Sequence, residues 1–216
     1  MPADAHETES EKETARIEAF SDGVFAIAIT LLVLDLRVPR DLADGRALLR
    51  ALADQWPAYL AFVTSFAFIG IMWINHHKMF TYIRRADHGL LLLNTLFLLG
   101  ITFVPFPTAL LAAYLPRSGG NVATLVFTGT YTLLAVFFNL VWRYASHHNR
   151  LIGRSVDPHA VATITREYSF GPMLYVIAFL LGFVSVPASL AMNLALAAFW
   201  ALPPRRRRAR AEALTL

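Results

Sequence analysis

Charge is missing from four long stretches of this chain, and that absence decides what it can fold into. Residues 55–77, 89–116, 118–142 and 168–204 contain no Lys, Arg, Asp or Glu. About 20 apolar residues, rising about 1.5 Å each, cross the hydrocarbon of a bilayer, so every one of these runs is long enough to span it. The last would make a helix of about 55 Å, too long for one ordinary span. Pro187 divides it and predicts two short spans joined by a tight turn. Of the 216 residues, 56% are hydrophobic and 16% charged, and the chain reads as an integral membrane protein.

One more span precedes these. Residues 16–35 read Arg-Ile-Glu-Ala-Phe-Ser-Asp-Gly-Val-Phe-Ala-Ile-Ala-Ile-Thr-Leu-Leu-Val-Leu-Asp. The uncharged stretch from Asp22 to Asp35 is too short to cover the hydrocarbon alone, and a carboxylate at membrane depth costs roughly 2.5–3.5 kcal/mol or more. Protein or a water-filled cavity around this helix explains it better than lipid does. It is therefore the first candidate for the functional element. The predicted fold class is an all-α membrane protein with six transmembrane helices per chain.

An even number of spans puts both termini on one side. Of the 19 basic residues, Arg37, Arg40, Arg46, Arg50 and Arg117 fall on the opposite side. Lys12, Arg16, Lys78, Arg84, Arg85, Arg143, Arg150, Arg154, Arg166 and the Arg205–Arg208 and Arg210 cluster share the side of the termini. The positive-inside bias makes that side the cytoplasm and predicts a multi-pass protein of the cell (inner) membrane. The net charge of +4 follows from this topology and implies no nucleic-acid partner; the arginine tail reads as a topological anchor, with anionic lipid or RNA as rival contacts.

Asp4, Glu7, Glu9, Glu11 and Glu13 make the leading segment acidic, unlike a secretory signal. Residues 1–15 are expected to be a mobile cytoplasmic segment, 16–204 the six-span domain and 205–216 a basic cytoplasmic tail. Residues 38–54 read as an outer loop with a short helix, 84–88 as a tight inner turn and 116–121 as an outer turn. Pro105 and Pro107 kink or end the third span. Residues 143–167 form the longest cytoplasmic connection. The chain has no cysteine, so disulfides and thiolate metal sites are excluded.

On a helical wheel with Ile27 at zero, Leu31 falls near about +40°, Leu34 about −20°, Phe20 about +20° and Thr30 about −60°. Asp22 falls near about −140° and Ser21 about +120°, well away from this aliphatic stripe. Two readings stay open on periodicity. The stripe is an ordinary packing or lipid contact, or several copies of the helix meet at an axis and the stripe faces a narrow pore. In the second case Ser21 and Asp22 face neighbouring helices, where hydrogen bonds compensate their burial.

Arg16-x-x-x-Phe20-Ser21-Asp22, followed by Gly-Val-Phe-Ala-Ile-Ala-Ile-Thr-Leu-Leu-Val-Leu, closely resembles the first-helix signature of the transmembrane protein 175 family. Animal members of that family are endosomal and lysosomal potassium channels with two six-span repeats, and prokaryotic members have one six-span unit that assembles as a homotetramer. The chain is similar to a prokaryotic member over essentially its whole length. The resemblance implies a potassium-conducting channel, without cofactor, whose pore is lined by the first helix and has no re-entrant P-loop. It carries the constriction onto Ile27, Leu31 and Leu34, with Thr30 beside them.

The chain lacks the Thr-Val-Gly-Tyr-Gly carbonyl filter of ordinary potassium channels. A ring of Ile or Leu offers ions no replacement ligands, so potassium, which holds its water less tightly than sodium, passes with modest preference, and the ring can close by excluding water.

Trp73, Asn75, His76 and His77 lie near the cytoplasmic end of the second span, and Asn94 near the start of the third. The Trp73-x-x-x-His77 pattern resembles the family's second helix, which braces the Phe-Ser-Asp segment. Trp73, His77 and Asn94 carry donors that Ser21 and Asp22 need, and Arg16, just inside the boundary, has Glu18, a neighbour's Asp22 or lipid phosphate within prospect. The pairs His76–His77 and His147–His148 do not suit a metal, because successive helical residues diverge by about 100° and no acidic partner follows at the right spacing. No nucleophile-base set or Gly-x-Ser-x-Gly elbow suggests an enzyme. A proton-conducting channel and a secondary cation transporter remain the alternatives, the latter weakened by an aliphatic helix centre and the lack of an internal repeat.

Overall fold

The computed structural model describes residues 3–153 and 156–202, and among these the chain is all-helical. The helices are α1 (Ala3–Leu31), α2 (Gly45–Asp54), α3 (Trp56–Phe80), α4 (His88–Phe103), α5 (Pro105–Tyr114), α6 (Gly120–Ser146), α7 (Pro158–Leu181) and α8 (Val186–Ala201), with short 3-10 turns at Leu32–Asp35 and His147–Asn149. The arginines of the 205–216 tail and Arg154 lie outside the described residues.

Four helical stretches are long and apolar enough to cross a bilayer: Glu13–Asp35, Trp56–Phe80, His88–Tyr114 and Gly120–Asn149. The third of these is α4 and α5 together. Pro105 follows Val104, which keeps helical dihedrals, so the prolines bend this rod without ending it. α7 carries Arg166 and Glu167 in its first half, and α8 is short, with 16 residues. Their separation falls at Gly182–Ser185, not at Pro187. Proline is well tolerated in the first turn of a helix, where its missing N–H is an orphan anyway, and Ser185 caps α8 through Ala188 N–H.

Two boundaries differ from the sequence expectation. α1 is already helical at Ala3, ahead of Arg16. Much of 143–167 is helical: α6 continues through Ser146, and α7 starts at Pro158, where Asp157 accepts from His159 N–H and proline occupies the first turn.

α6 is the central rod, packed on α4, α5, α7 and α8, while α3 joins α5, α8 and α1. The core is aromatic: Phe25, Phe68, Phe97, Phe127, Tyr131 and Trp142 are fully buried, and Phe68 stacks on Tyr131 with ring centroids 4.2 Å apart. Pro172 sits inside α7, so the Tyr168 carbonyl loses its partner four residues on. Asn139 of α6 replaces it, donating Nδ2–H to that oxygen at 2.7 Å.

The turns between α3 and α4 and between α6 and α7 are clasped together. Ile83 and Ile152 pair as a single antiparallel bridge, and Arg85 Nη2 donates to the Asn149 and Ile152 carbonyls. Asp87 caps α4 through Leu90 N–H and also accepts from Tyr144 Oη at 3.0 Å and Arg150 Nη2 at 2.9 Å. Gly89 makes this approach feasible, because a Cβ there would collide with the Tyr144 hydroxyl. Burial works against ionisation of Asp87, but the bonds from Leu90 and Tyr144 and the Arg150 charge outweigh it and hold the carboxyl below its ordinary range.

Candidate pore helix and its bracing network

α1 has three distinct sides. Ile17, Ser21, Phe25 and Ala28 recur at helical spacing and are buried on the side toward α3 and α4 of the same chain, and Leu32 is buried in the 3-10 turn that follows, which packs on α3 and α5. Phe20, Ile27, Leu31 and Leu34 are exposed in the single chain, Ile27 at 59% and Leu34 at 72%. Thr30, beside them, donates its hydroxyl proton back to the Ile27 carbonyl at 2.9 Å, a bond that leaves the lone pairs of its oxygen free.

The third side carries Glu18 and Asp22, one helical turn apart. They face Trp73 and His77, one turn apart on α3. Trp73 Nε1 donates to Asp22 Oδ1 at 2.8 Å, and His77 Nδ1 meets Glu18 Oε1 at 2.5 Å. The order of the pairs, 22 with 73 and 18 with 77, is that of two antiparallel helices zipped at matching spacing. The Trp73 and His77 rings stack, with centroids 6.3 Å apart.

A second, fully buried chain of bonds runs parallel to this one. His76 Nε2 lies 2.9 Å from Asn94 Oδ1, Asn94 Nδ2 donates to Ser21 Oγ at 3.0 Å, and Ser21 Oγ donates to the Ile17 carbonyl at 2.8 Å. Because the Asn94 amide spends its N–H on Ser21, its oxygen must accept, and the proton of His76 sits on Nε2. Nδ1 of His76 is then a buried acceptor that finds no donor among the described residues. Phe25, Phe80 and Phe97 surround the ring.

The structure thus brings Ser21 to Asn94 and Asp22 to Trp73. His77 reaches neither Ser21 nor Asp22 and turns to Glu18. Arg16 is exposed and, among the described residues, joins none of these bonds. His76 is the residue that the sequence reading passed over. The structure separates it from His77: Ser65, Phe68, Ile69, Met72, His76, Met79 and Phe80 form the buried stripe of α3, and His76 lies on it while His77 is rotated off by about 100°.

The profile of the Endosomal/lysosomal potassium channel TMEM175 family matches residues 16–105, a stretch that holds every one of these side chains. A potassium channel of Chamaesiphon minutus is 48% identical over 197 residues, which are 91% of this chain and 97% of that one. The chain belongs to the TMEM175 family. This is a family of ion channels, not of enzymes. A potassium channel of Streptomyces collinus is 43% identical over 87% of this chain and 91% of its own. The crystal structure of a lysosomal potassium-selective channel TMEM175 homolog from Chamaesiphon minutus superposes with a TM-score of 0.80 at 47% identity, over 88% of this chain and 97% of that one. The endosomal/lysosomal proton channel TMEM175 of Homo sapiens is 35% identical over 67% of this chain and 30% of its own length.

Proposed function

We propose that this TMEM175 member is a potassium-permeable, modestly selective cation channel of the cell membrane, built as a homotetramer with α1 of each copy around the axis. Each chain contributes six spans, with α7 and α8 as the last two and both termini in the cytoplasm. Ile27, Leu31 and Leu34 form the hydrophobic constriction, and potassium passes it as a permeant ion with no cofactor.

One observation carries this reading: α1 buries its Ser21 side in its own chain, ties Asp22 and Glu18 to α3, and still leaves Ile27, Leu31 and Leu34 uncovered. A helix fixed on two sides has one stable orientation, so its third face is held toward whatever lies outside the chain. If that is an axis shared with other copies, a ring of branched aliphatics narrows it. Such a ring supplies no oxygen ligands, so passing ions shed water with little compensation, and the more weakly hydrated ion is favoured. The relatives named potassium channels, similar over nearly their whole length, support the same ion.

The test is recording from purified protein in planar bilayers with potassium and sodium on opposite sides. The proposal expects unitary currents whose reversal favours potassium. Saturable, coupled uptake without unitary current would replace the channel with a transporter.

Proton conduction is the second reading. It is favoured by the titratable Glu18–His77 pair one turn from Asp22, and by the naming of the animal relatives as proton channels. A reversal potential that follows the pH gradient and ignores potassium would select it.

A further inference from the structure

α2 is a helix with no buried residue at all. Asp44 caps it, accepting from Ala47 N–H at 2.7 Å, and Gln55 joins it directly to α3. Leu48, Leu49 and Leu52 lie within an arc of about 100° on its surface, while Arg46, Arg50 and Asp54 take the opposite side. All three leucines are exposed, Leu49 at 69%. The exposure continues without a break into Trp56, Tyr59, Leu60 and Val63 of α3.

What covers the leucines follows from where α2 must lie. α3 has 25 residues, about 37 Å of helix, which covers the hydrocarbon by itself. α2 is therefore outside that slab, next to the first turn of α3. Trp56 and Tyr59 in that turn are the residue types that gather at headgroup depth. A short helix with leucines on one side and arginines on the other suits that depth, with the apolar face in the acyl boundary and the cations at lipid phosphates. A neighbouring copy would leave the two arginines without a matching surface, and phospholipid supplies one.

We propose that α2 is an interfacial helix lying in the plane of the outer headgroup region, with Leu48, Leu49 and Leu52 inserted in lipid and Arg46 and Arg50 turned to phosphates. It ties the outer end of α1 to the bilayer surface, because the link from Leu36 to Asp44 is short and Arg37 N–H is held by Gln55 Oε1 at 3.2 Å. This rests on the membrane topology stated above and not on which ion is conducted.

The chain is free of cysteine, so single cysteines can be labelled without background. Leu49→Cys, Arg50→Cys and Val63→Cys, each carrying an environment-sensitive fluorophore, are placed in phosphatidylcholine–phosphatidylglycerol vesicles with spin-labelled lipid. The label at 49 should emit to the blue of that at 50 and be quenched severalfold more by lipid-borne spin label placed near the headgroup. Equal, weak quenching at 49 and 50 overturns the proposal, as does oxidative cross-linking of Leu49→Cys between copies. Val63→Cys reports separately on the topology: loss of quenching there removes the membrane placement of α3 and the proposal with it.

Discussion

The indole N–H of Trp73 on α3 is bonded to the carboxylate of Asp22 on α1, Nε1 to Oδ1 2.8 Å. With the neighbouring Glu18–His77 pair, it joins the polar end of the candidate pore helix to α3 from the side not already buried. A hydrogen bond to an ionised acceptor contributes about 1.5–3 kcal/mol, and more is lost when the acceptor is left in a poorly hydrated place. Trp73→Phe keeps the ring and removes the donor. We expect it to lower the midpoint of thermal inactivation in detergent, with Asp22→Asn in the same background restoring part of the loss. An unchanged midpoint would show that water replaces the indole at no cost.

Asn94 stands between His76 and Ser21 and serves both. Asn94→Leu strands the buried ring N–H of His76 and takes a donor from Ser21 Oγ, which keeps its own bond to the Ile17 carbonyl, so a loss of about 1–3 kcal/mol is expected, chiefly from the ring N–H. His76→Phe removes that N–H along with the orphaned Nδ1 and leaves the Asn94 oxygen as the unmet group, while its ring fits the surrounding Phe25, Phe80 and Phe97. It should cost clearly less than Asn94→Leu. Comparing the two melting points decides this, and the reverse order would mean that the network is not what holds α1.

The stripe on α1 could be read from the sequence because a period of 3.6 separates Ile27, Leu31 and Leu34 from Asp22 and Ser21 whatever surrounds the helix. The uncharged runs likewise mark α3, α4 with α5, and α6, since charge is the costliest thing to place in hydrocarbon. The choice between His76 and His77 was not legible from the paired motif alone. Both are one step apart, and only the buried side of α3, fixed by its neighbours, tells which ring faces Asn94. The start of α7 was hidden for a different reason. Arg166 and Glu167 look like loop residues by charge, yet they lie within α7, which turns apolar only after them. Residues 182–185 were masked by Pro187, which starts α8 instead of breaking a helix.

Asp87 makes the clasp between the α3–α4 and α6–α7 turns dependent on pH. Its carboxyl is held below the ordinary range, so the stabilisation is complete above about pH 4, the usual aspartate value, and is lost as pH falls through the lower folded value. Asp87→Asn removes this dependence. Melting temperatures of the two proteins should therefore differ at neutral pH and converge under acid, and a gap that stays constant with pH would contradict the assignment.

Asn139 and Pro172 are linked through one carbonyl, that of Tyr168. Pro172→Ala supplies α7 with the missing N–H, so the same oxygen no longer depends on Asn139. Asn139→Leu should cost about 1–3 kcal/mol in the parent and less beside Pro172→Ala, giving a coupling of about 1 kcal/mol in a double-mutant cycle. Strict additivity would mean that the carbonyl finds another donor.

Ile27 bears the central claim. Bi-ionic reversal potentials, recorded for the parent and for Ile27→Asn in the same bilayer, test whether aliphatic side chains on α1 set the ion path. An amide at this position offers ligands and wets the constriction, so the account predicts weaker discrimination between potassium and sodium together with a larger conductance at rest. Identical reversal potential and resting conductance in the two proteins would take Ile27 out of the pore and the account with it.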